Sequence, residues 1–317
     1  MSLPADLSAR LSLPLIAAPM FLVSGVELVV AACVQGVIGS FPTANARTTQ
    51  ELDAWLGEMR RRVEEAEQRA GKRLAPICPN LIVHRSNTRL ADDLAVLLRH
   101  RVELVIASVG SPENVIAPLH DIGCRVFTDV ASMRHAEKAI AIGSDGLVLL
   151  AAGAGGQTGW ANPFAFVRAV RAIWNGPLVL AGGIADGQAL RAAEVLGCDL
   201  AYMGTKFIAT RESMAKDAYK EMLVSSRLDD VLLTRAFTGL ETNMLRPSIV
   251  AAGADPDNLP ARGGIDVAKD INSGAREQGA RRWKDIWSAG HSVSGVADIP
   301  SVAGLIARTR REYAAAS

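Results

Sequence analysis

The 317-residue chain is poor in aromatic residues, which make up 5% of it, and in net charge: 34 Lys and Arg stand against 33 Asp and Glu, a balance of +1. Scarce aromatics argue against base-stacking platforms. The near-zero balance leaves no electrostatic footprint for a nucleic-acid backbone or an anionic membrane surface. Cysteine is sparse too. Cys33, Cys78, Cys124 and Cys198 lie far apart with no CxxC pair, so neither a disulfide framework nor a zinc site is suggested. They are expected to pack as small hydrophobes in a reducing, cytoplasmic setting, and no metal is expected. Repeats of solenoid period and low-complexity tracts are absent. Apolar residues, by contrast, make up 49% of the chain, with 21% charged. That excludes disorder and supplies core for one large barrel or two smaller domains.

The one long apolar stretch, residues 11–42, does not have the form of a signal peptide. Asp6 and Arg10 cancel ahead of it, and Pro14, Pro19, Glu27 and Gln35 interrupt it. Ser24-Gly25-Val26-Glu27 has the form of a capping box, so the segment reads as strand, loop, helix, strand. Runs apolar on both faces begin near Leu15, Gly36, Leu74, Val102, Arg125, Gly146, Pro177 and Leu200, each beside a helical pattern. Such runs fit parallel strands covered by helices. Ser111-Pro112 reads as N-cap and N1, and Gly143 and Gly197 as helix stops. Eight strand–helix units predict an α/β fold, a (β/α)8 TIM barrel rather than a doubly wound sheet. After Thr205 there are helical stretches and loops but no convincing strand run, with Gly253, Pro256, Pro260 and Gly263-Gly264 as loop punctuation. The expected organisation is a barrel over 1–210, a helical lid inserted after strand 8 over 211–284, and a return segment with a final helix over 285–317. Pro300 is expected at N1 of that helix.

In a parallel barrel the site lies at the C-terminal ends of the strands. The seventh run ends in Ala181-Gly182-Gly183-Ile184-Ala185-Asp186-Gly187 and the eighth in Met203-Gly204-Thr205. Paired glycines let backbone N–H groups approach an anion, and the helix N-terminus that follows adds a favourable dipole. A phosphate site is predicted there. Gly153-Ala154-Gly155-Gly156-Gln157-Thr158-Gly159 departs from a dinucleotide fingerprint, because Thr158 stands where the third glycine belongs. It reads instead as a Gly-lined loop against which a planar ligand could lie. Asn80 ends the third run and Asp129 the fifth, each a site group or a helix cap. Among five histidines, His100, His120 and His135 read as structural or solvent-facing, while His84 and His291 could reach the mouth.

Together with Ala18-Pro19-Met20, Asn80-Leu81, Lys206-Phe207 and Ile286-Trp287-Ser288-Ala289-Gly290, these motifs carry a family likeness. In order along nearly the whole chain, the series resembles the nitronate monooxygenase family, formerly the 2-nitropropane dioxygenases. That family also includes FMN-dependent enoyl-acyl-carrier-protein reductases. The resemblance implies an FMN-binding TIM barrel with a helical lid. Gly182, Gly183, Gly204 and Thr205, with Met203 in the same motif, would serve the FMN phosphate. Ala18, Pro19, Met20 and Asn80 would line the flavin ring. Gly155 and Gly156 would stand beside the substrate, with Thr158, Trp287, Ser288 and Gly290 on the substrate and lid side. Two positions depart from the family: its catalytic His is Gln157 here, and its frequent Lys near the ring is Asp129. A cation there would favour reduced, anionic flavin; Asp129 would not.

The implied activity is an FMN-dependent oxidoreductase that oxidises a small alkyl nitronate or related substrate with O2. An NAD(P)H-dependent flavin reductase acting on an enoyl thioester or quinone is one alternative, with NAD(P)H as co-substrate. A non-catalytic flavin-binding barrel is another, and a flavin-free phosphate-binding barrel a minor one. The expected partners are a small molecule and O2, with no nucleic acid and no membrane. Gln157 can only donate and accept hydrogen bonds. A neutral nitroalkane needs a base, so preformed nitronate is the expected nitro substrate unless His84, His291 or Asp129 supplies one.

Overall fold

The computed structural model describes residues 3–260 and 285–316. All eight apolar runs form strands: β1 (Leu15–Ala17), β2 (Ile38–Pro42), β3 (Ile77–Ile82), β4 (Leu104–Ser108), β5 (Arg125–Val130) and β6 (Gly146–Leu150), then, after a short β7 (Gly156–Gln157), β8 (Leu178–Ala181) and β9 (Leu200–Met203). Of these nine, all but β7 belong to one closed parallel barrel in the order β1-β2-β3-β4-β5-β6-β8-β9. Closure is the pairing of β9 with β1, Leu15 opposite Ala201 and Ala17 opposite Met203. This is a TIM barrel.

The two-residue period of a strand explains why these runs are apolar throughout. Cys78, Ile106, Phe127, Val148 and Val179 point inward and fill the barrel. Leu15, Leu147, Leu149, Leu180 and Met203 point outward into the layer between strands and helices. Gly146 pairs with Phe127 across β5 and β6, and a side-chain carbon on it would overlap the fully buried Phe127 ring. The helices follow their own period. Helix Thr49–Ala70 buries Leu52, Leu56, Met59, Val63 and Ala66, spaced four and three apart. Thr48 caps it by accepting the Glu51 N–H, and left-handed Gly71 ends it.

Three helix starts differ from expectation. Ser24 does not cap helix Val26–Val34; its hydroxyl accepts the Met20 N–H and donates to the Ala18 carbonyl, holding the loop after β1. Glu27 does not reach back, because it pairs with Arg62 at 2.5 Å. Helix Glu113–Asp121 takes Pro112 as N-cap, one residue later than read. The C-terminal helix, Val302–Ala315, is capped by Ser301, which accepts the Gly304 N–H, and so Pro300 precedes the cap.

The segment after β9 is not purely helical. Helices Thr205–Ile208, Asp217–Ser225 and Arg246–Ala251 are accompanied by β10 (Val231–Thr234) and β11 (Thr242–Leu245). With β7 these form an antiparallel sheet in the order β10-β11-β7, and Ser288 bridges to Met244 beside it. β7 escapes a reading for apolar runs because it is two residues long, and β10 is partly exposed along its whole length rather than buried. In addition, β11 carries a buried Asn243, whose Nδ2 donates to the Ala154 carbonyl at 2.7 Å. The expected lid extends to Lys284; its portion 261–284, with Gly263-Gly264, lies outside the described residues. Among the described residues no helix is long and apolar enough to cross a membrane, and all four cysteines are buried free thiols.

Candidate active site

A cavity of about 280 Å³ opens at the C-terminal ends of the barrel strands, under the β10-β11-β7 sheet. Its floor is the uppermost inward layer of the barrel. From β3, β4 and β5 that layer presents Asn80, Ser108 and Asp129, a polar arc. From β6, β8 and the end of β9 it presents Leu150, Ala181, Tyr202 and Gly204. Ser108 Oγ donates to Asn80 Oδ1 at 3.2 Å, and Asn80 Nδ2 donates to the Ile106 carbonyl at 3.1 Å. Asp129 is half-buried because its side chain faces the cavity, yet its Oδ1 is sealed off without a hydrogen-bond partner. The Tyr202 hydroxyl is likewise buried and unpartnered. Burial pushes the Asp129 carboxyl up to about 7. Burial, and then the charge of Asp129, hold the Tyr202 phenol well above its ordinary range.

Across the barrel axis from this arc stand the glycines that end β8 and β9. Gly182 and Gly183 have φ of 129° and 80°, a region that favours glycine. A side-chain carbon on Gly182 would come within 3.1 and 3.2 Å of the Ala152 and Ala151 carbonyl oxygens, whereas one on Gly183 would meet nothing within 4 Å. Gly183 therefore leaves space that a ligand can approach. Gly204 and Thr205, opening helix Thr205–Ile208, complete this side of the cavity. Asp186 plays a different part: its Oδ1 accepts the Ala189 N–H at 2.8 Å and caps helix Gly187–Leu196. Among the described residues no Lys, Arg or His lines the cavity, so an anion there would have only uncharged donors to meet it.

The roof comes from the lid and the return segment. Tyr219 and Trp287 stack with ring centroids 5.0 Å apart and planes 12° apart, and the Tyr219 hydroxyl donates to the Ser288 carbonyl. Gln157 lies half-buried on β7 opposite Thr242 and lines the cavity with Gly155, Gly156, Trp287 and Ser288. The glycines of this loop answer a packing need as well. A side-chain carbon on Gly155 would fall 2.7 Å from the Gly290 nitrogen, and one on Gly153 would fall 2.8 Å from the His291 ring. Ala18, Pro19 and Met20 line the wall after β1.

Several residues singled out in the sequence stand elsewhere. Met203 is fully buried but faces the helices, since its inward neighbours in the strand period are Tyr202 and Gly204. Thr158 donates its hydroxyl to the Ala151 carbonyl and braces the loop. Gly290 donates its N–H to Thr205 Oγ1 at 2.9 Å, tying the return segment to the end of β9. His84 is taken up by Ser86 at 2.8 Å. His291 is exposed, its N–H bound to the Gly153 carbonyl. Neither histidine lines the cavity. Tyr202 and Ser108 line it without having been anticipated; each lies two residues from another inward position of its strand, Gly204 and Ile106. Tyr219 had no such signal, because only tertiary packing brings it to Trp287. Among the described residues no group of three or more His, Cys, Asp or Glu could hold a metal ion.

Fold and cavity together are a TIM barrel with an open cavity at its C-terminal mouth, one side of it formed by the glycines that end the last two barrel strands. The chain belongs to the nitronate monooxygenase family, whose family model it matches over residues 6–311. It is 31% identical over 232 residues to the nitronate monooxygenase of Paraburkholderia phytofirmans, an alignment covering 69% of this chain and 63% of that protein. It is 26% identical over 240 residues to the (3aS,4S,5R,7aS)-5-hydroxy-7a-methyl-1-oxo-octahydro-1H-indene-4-carboxyl-CoA dehydrogenase of Mycobacterium tuberculosis, covering 75% of this chain and 64% of that one. The chain thus spans less than two thirds of the length of either relative. Its fold superposes on FabK from Thermotoga maritima with a TM-score of 0.79 at 24% identity, covering 98% of this chain and 94% of that one.

Proposed function

We propose that the chain is an FMN-dependent oxidoreductase that oxidises a small alkyl nitronate or related substrate with O2. The observation that carries this reading is the division of the cavity in a chain of this family. A backbone cradle at Gly182-Gly183 and Gly204-Thr205 lies on one side, and the arc of Asn80, Ser108 and Asp129 on the other. That division suits a ligand with a phosphate at one end and a heterocycle bearing hydrogen-bonding atoms at the other. The unpartnered Asp129 Oδ1 and Tyr202 hydroxyl fit it too, as groups awaiting a polar ring. The glycines and Thr205 would hold the phosphate; Ala18, Pro19, Met20 and Asn80 would line the ring. Bound there, FMN would accept an electron pair from the substrate and pass it to O2. The lid sheet and the Tyr219–Trp287 wall keep water from the reacting face. Gln157 orients the substrate's nitro oxygens through its carboxamide N–H donors.

A neutral nitroalkane must first lose a carbon-bound proton, and Gln157 cannot take it. His84 and His291 are outside the cavity, and Asp129 belongs to its floor rather than to the lid side. Initial rates on nitroalkane and preformed nitronate test this. Because a positioned base contributes about 10²–10⁴-fold, the parent protein should favour nitronate by about that margin. Gln157→His should raise activity on the neutral form selectively. Equal efficiency of the parent on both forms would sink the assignment of Gln157.

A second reading is favoured by the carboxyl-CoA dehydrogenase relative. In it the chain is a flavin enzyme exchanging electrons between NAD(P)H and an enoyl thioester or quinone. Rapid bleaching of bound flavin on anaerobic addition of NADH or NADPH supports that reading, and no bleaching supports the first. If FMN binds but nitronates, enones and quinones all fail as substrates, the barrel is a flavin-binding protein without turnover.

A further inference from the structure

The floor of the cavity holds two polar groups that the protein does not satisfy. Asp129 Oδ1 and the Tyr202 hydroxyl are closed off from solvent without a partner, while Asn80 and Ser108 beside them are bonded to each other and to the Ile106 carbonyl. Leaving a buried polar atom unpaired costs on the order of 1–3 kcal/mol, so two on residues that line the same cavity point to a ligand that completes them. What faces Asp129 decides its form. The adjacent strands present Ile106 and Ser108 from β4, and Val148 and Leu150 from β6, none of them titratable. The titratable groups that feel its charge are Cys78 on β3 and Tyr202 on β9, both held in their neutral forms by burial. No cation among the described lining residues offsets a carboxylate there. The carboxyl is therefore held as a neutral acid up to about neutral pH, as its upward displacement to about 7 also indicates. A neutral carboxyl is a hydrogen-bond donor; an ionised one can only accept.

We infer that Asp129 is a proton-bearing donor to the heterocycle of the bound cofactor, so that cofactor affinity itself depends on whether this carboxyl is protonated. The inference rests on the FMN reading above. It assigns a role in this chain to the position where the resemblance leads one to expect a Lys. A lysine would present a fixed cation to the ring, whereas Asp129 presents a removable proton. No covalent step is involved: the proton stays on Asp129 Oδ and is shared with a ring acceptor while FMN is bound.

The test is FMN affinity of the apo-protein across about pH 5.5 to 8.5, for the parent and for Asp129→Asn, which keeps the shape and removes the titration. The FMN phosphate itself ionises near pH 6, an effect common to both proteins that cancels in the ratio of their affinities. Below about pH 6 the two should bind within about threefold of each other. Above about pH 7 the parent should weaken by about tenfold per pH unit relative to the variant, as one-proton linkage requires. The visible band of the bound flavin should shift with pH in the parent and stay fixed in the variant. Asp129→Ser, also without a titrating group, should reproduce the flat behaviour and provides a second check on the fold. A ratio constant across the range, with FMN tightly bound, would mean that Asp129 and Tyr202 are satisfied within the floor, and it overturns this inference while the FMN reading stands. Failure of the parent to bind FMN at any pH overturns both.

Discussion

Gly183 and Gly204 stand on the same side of the cavity but constrain a side chain differently. Gly183 has φ of 80°, so a Val there is strained by about 1–3 kcal/mol before any ligand is considered. Gly204 has φ of −107°, open to any residue, and a side-chain carbon on it would sit 3.5 Å from Ala18 Cβ and 3.7 Å from Met20 Sδ. Gly204→Val should therefore cut FMN affinity by about tenfold or more with little change in thermal stability, while Gly183→Val should lower both. Fluorescence titration with FMN and thermal unfolding of each variant separate the two effects. Undiminished affinity in a folded Gly204→Val would remove the phosphate from that side. Asp129 makes a prediction about the apo-protein. Its folded pKa of about 7 lies above the ordinary 3.8, so between those values the folded chain holds a proton that the unfolded chain has released. Stability then falls as pH rises through that window, and the loss is complete above pH 7. Asp129→Asn should raise apo-protein stability by up to about 4 kcal/mol at pH 8, the full span of that pKa displacement, and leave it nearly unchanged near pH 4. Denaturant unfolding at the two pH values checks both the sign and the window; equal effects at both would refute it.

The lid sheet and return segment place an aromatic wall where barrel strands cannot reach. Trp287 is fixed through its main chain: its N–H donates to Ser248 Oγ at 2.9 Å and its carbonyl accepts the Leu245 N–H at 2.8 Å. Truncating the side chain leaves those bonds in place. Trp287→Ala should thus weaken substrate binding by about tenfold and expose bound flavin to iodide quenching. The lost stacking on Tyr219 should cost about 0.5–1.5 kcal/mol of stability. Unfolding without any change in flavin exposure would instead mark Trp287 as a core residue. The barrel strands were legible because parallel strands buried on both faces must be largely apolar, as β6 is throughout and β4 is up to Ser108. The lid strands were not. β7 is two residues long, and β11 owes its burial to neighbours from distant parts of the chain rather than to its own pattern. The helix start at Pro112 was missed by one residue and that at Ser301 by two, because Ser, Pro and their neighbours can all occupy caps.

At the scale of the molecule, barrel closure gathers residues as distant as Ala18, Asn80, Asp129, Gly182, Gly204 and Trp287 around one cavity. Sequence motifs named most of these, but they could not tell that His84 and His291 are kept out of it, nor that Met203 turns away while Tyr202 turns in. Those distinctions depend on strand phase and on loop packing, which the chain shows only once folded. The central claim is that this cavity holds FMN. The most direct test is the visible absorption spectrum of the purified chain, recorded after incubation with FMN and separation from free ligand by gel filtration. The account predicts that the two bands of oxidised flavin elute with the protein in near-equimolar amount. A folded protein that elutes colourless, with all of the added FMN left behind, would contradict it.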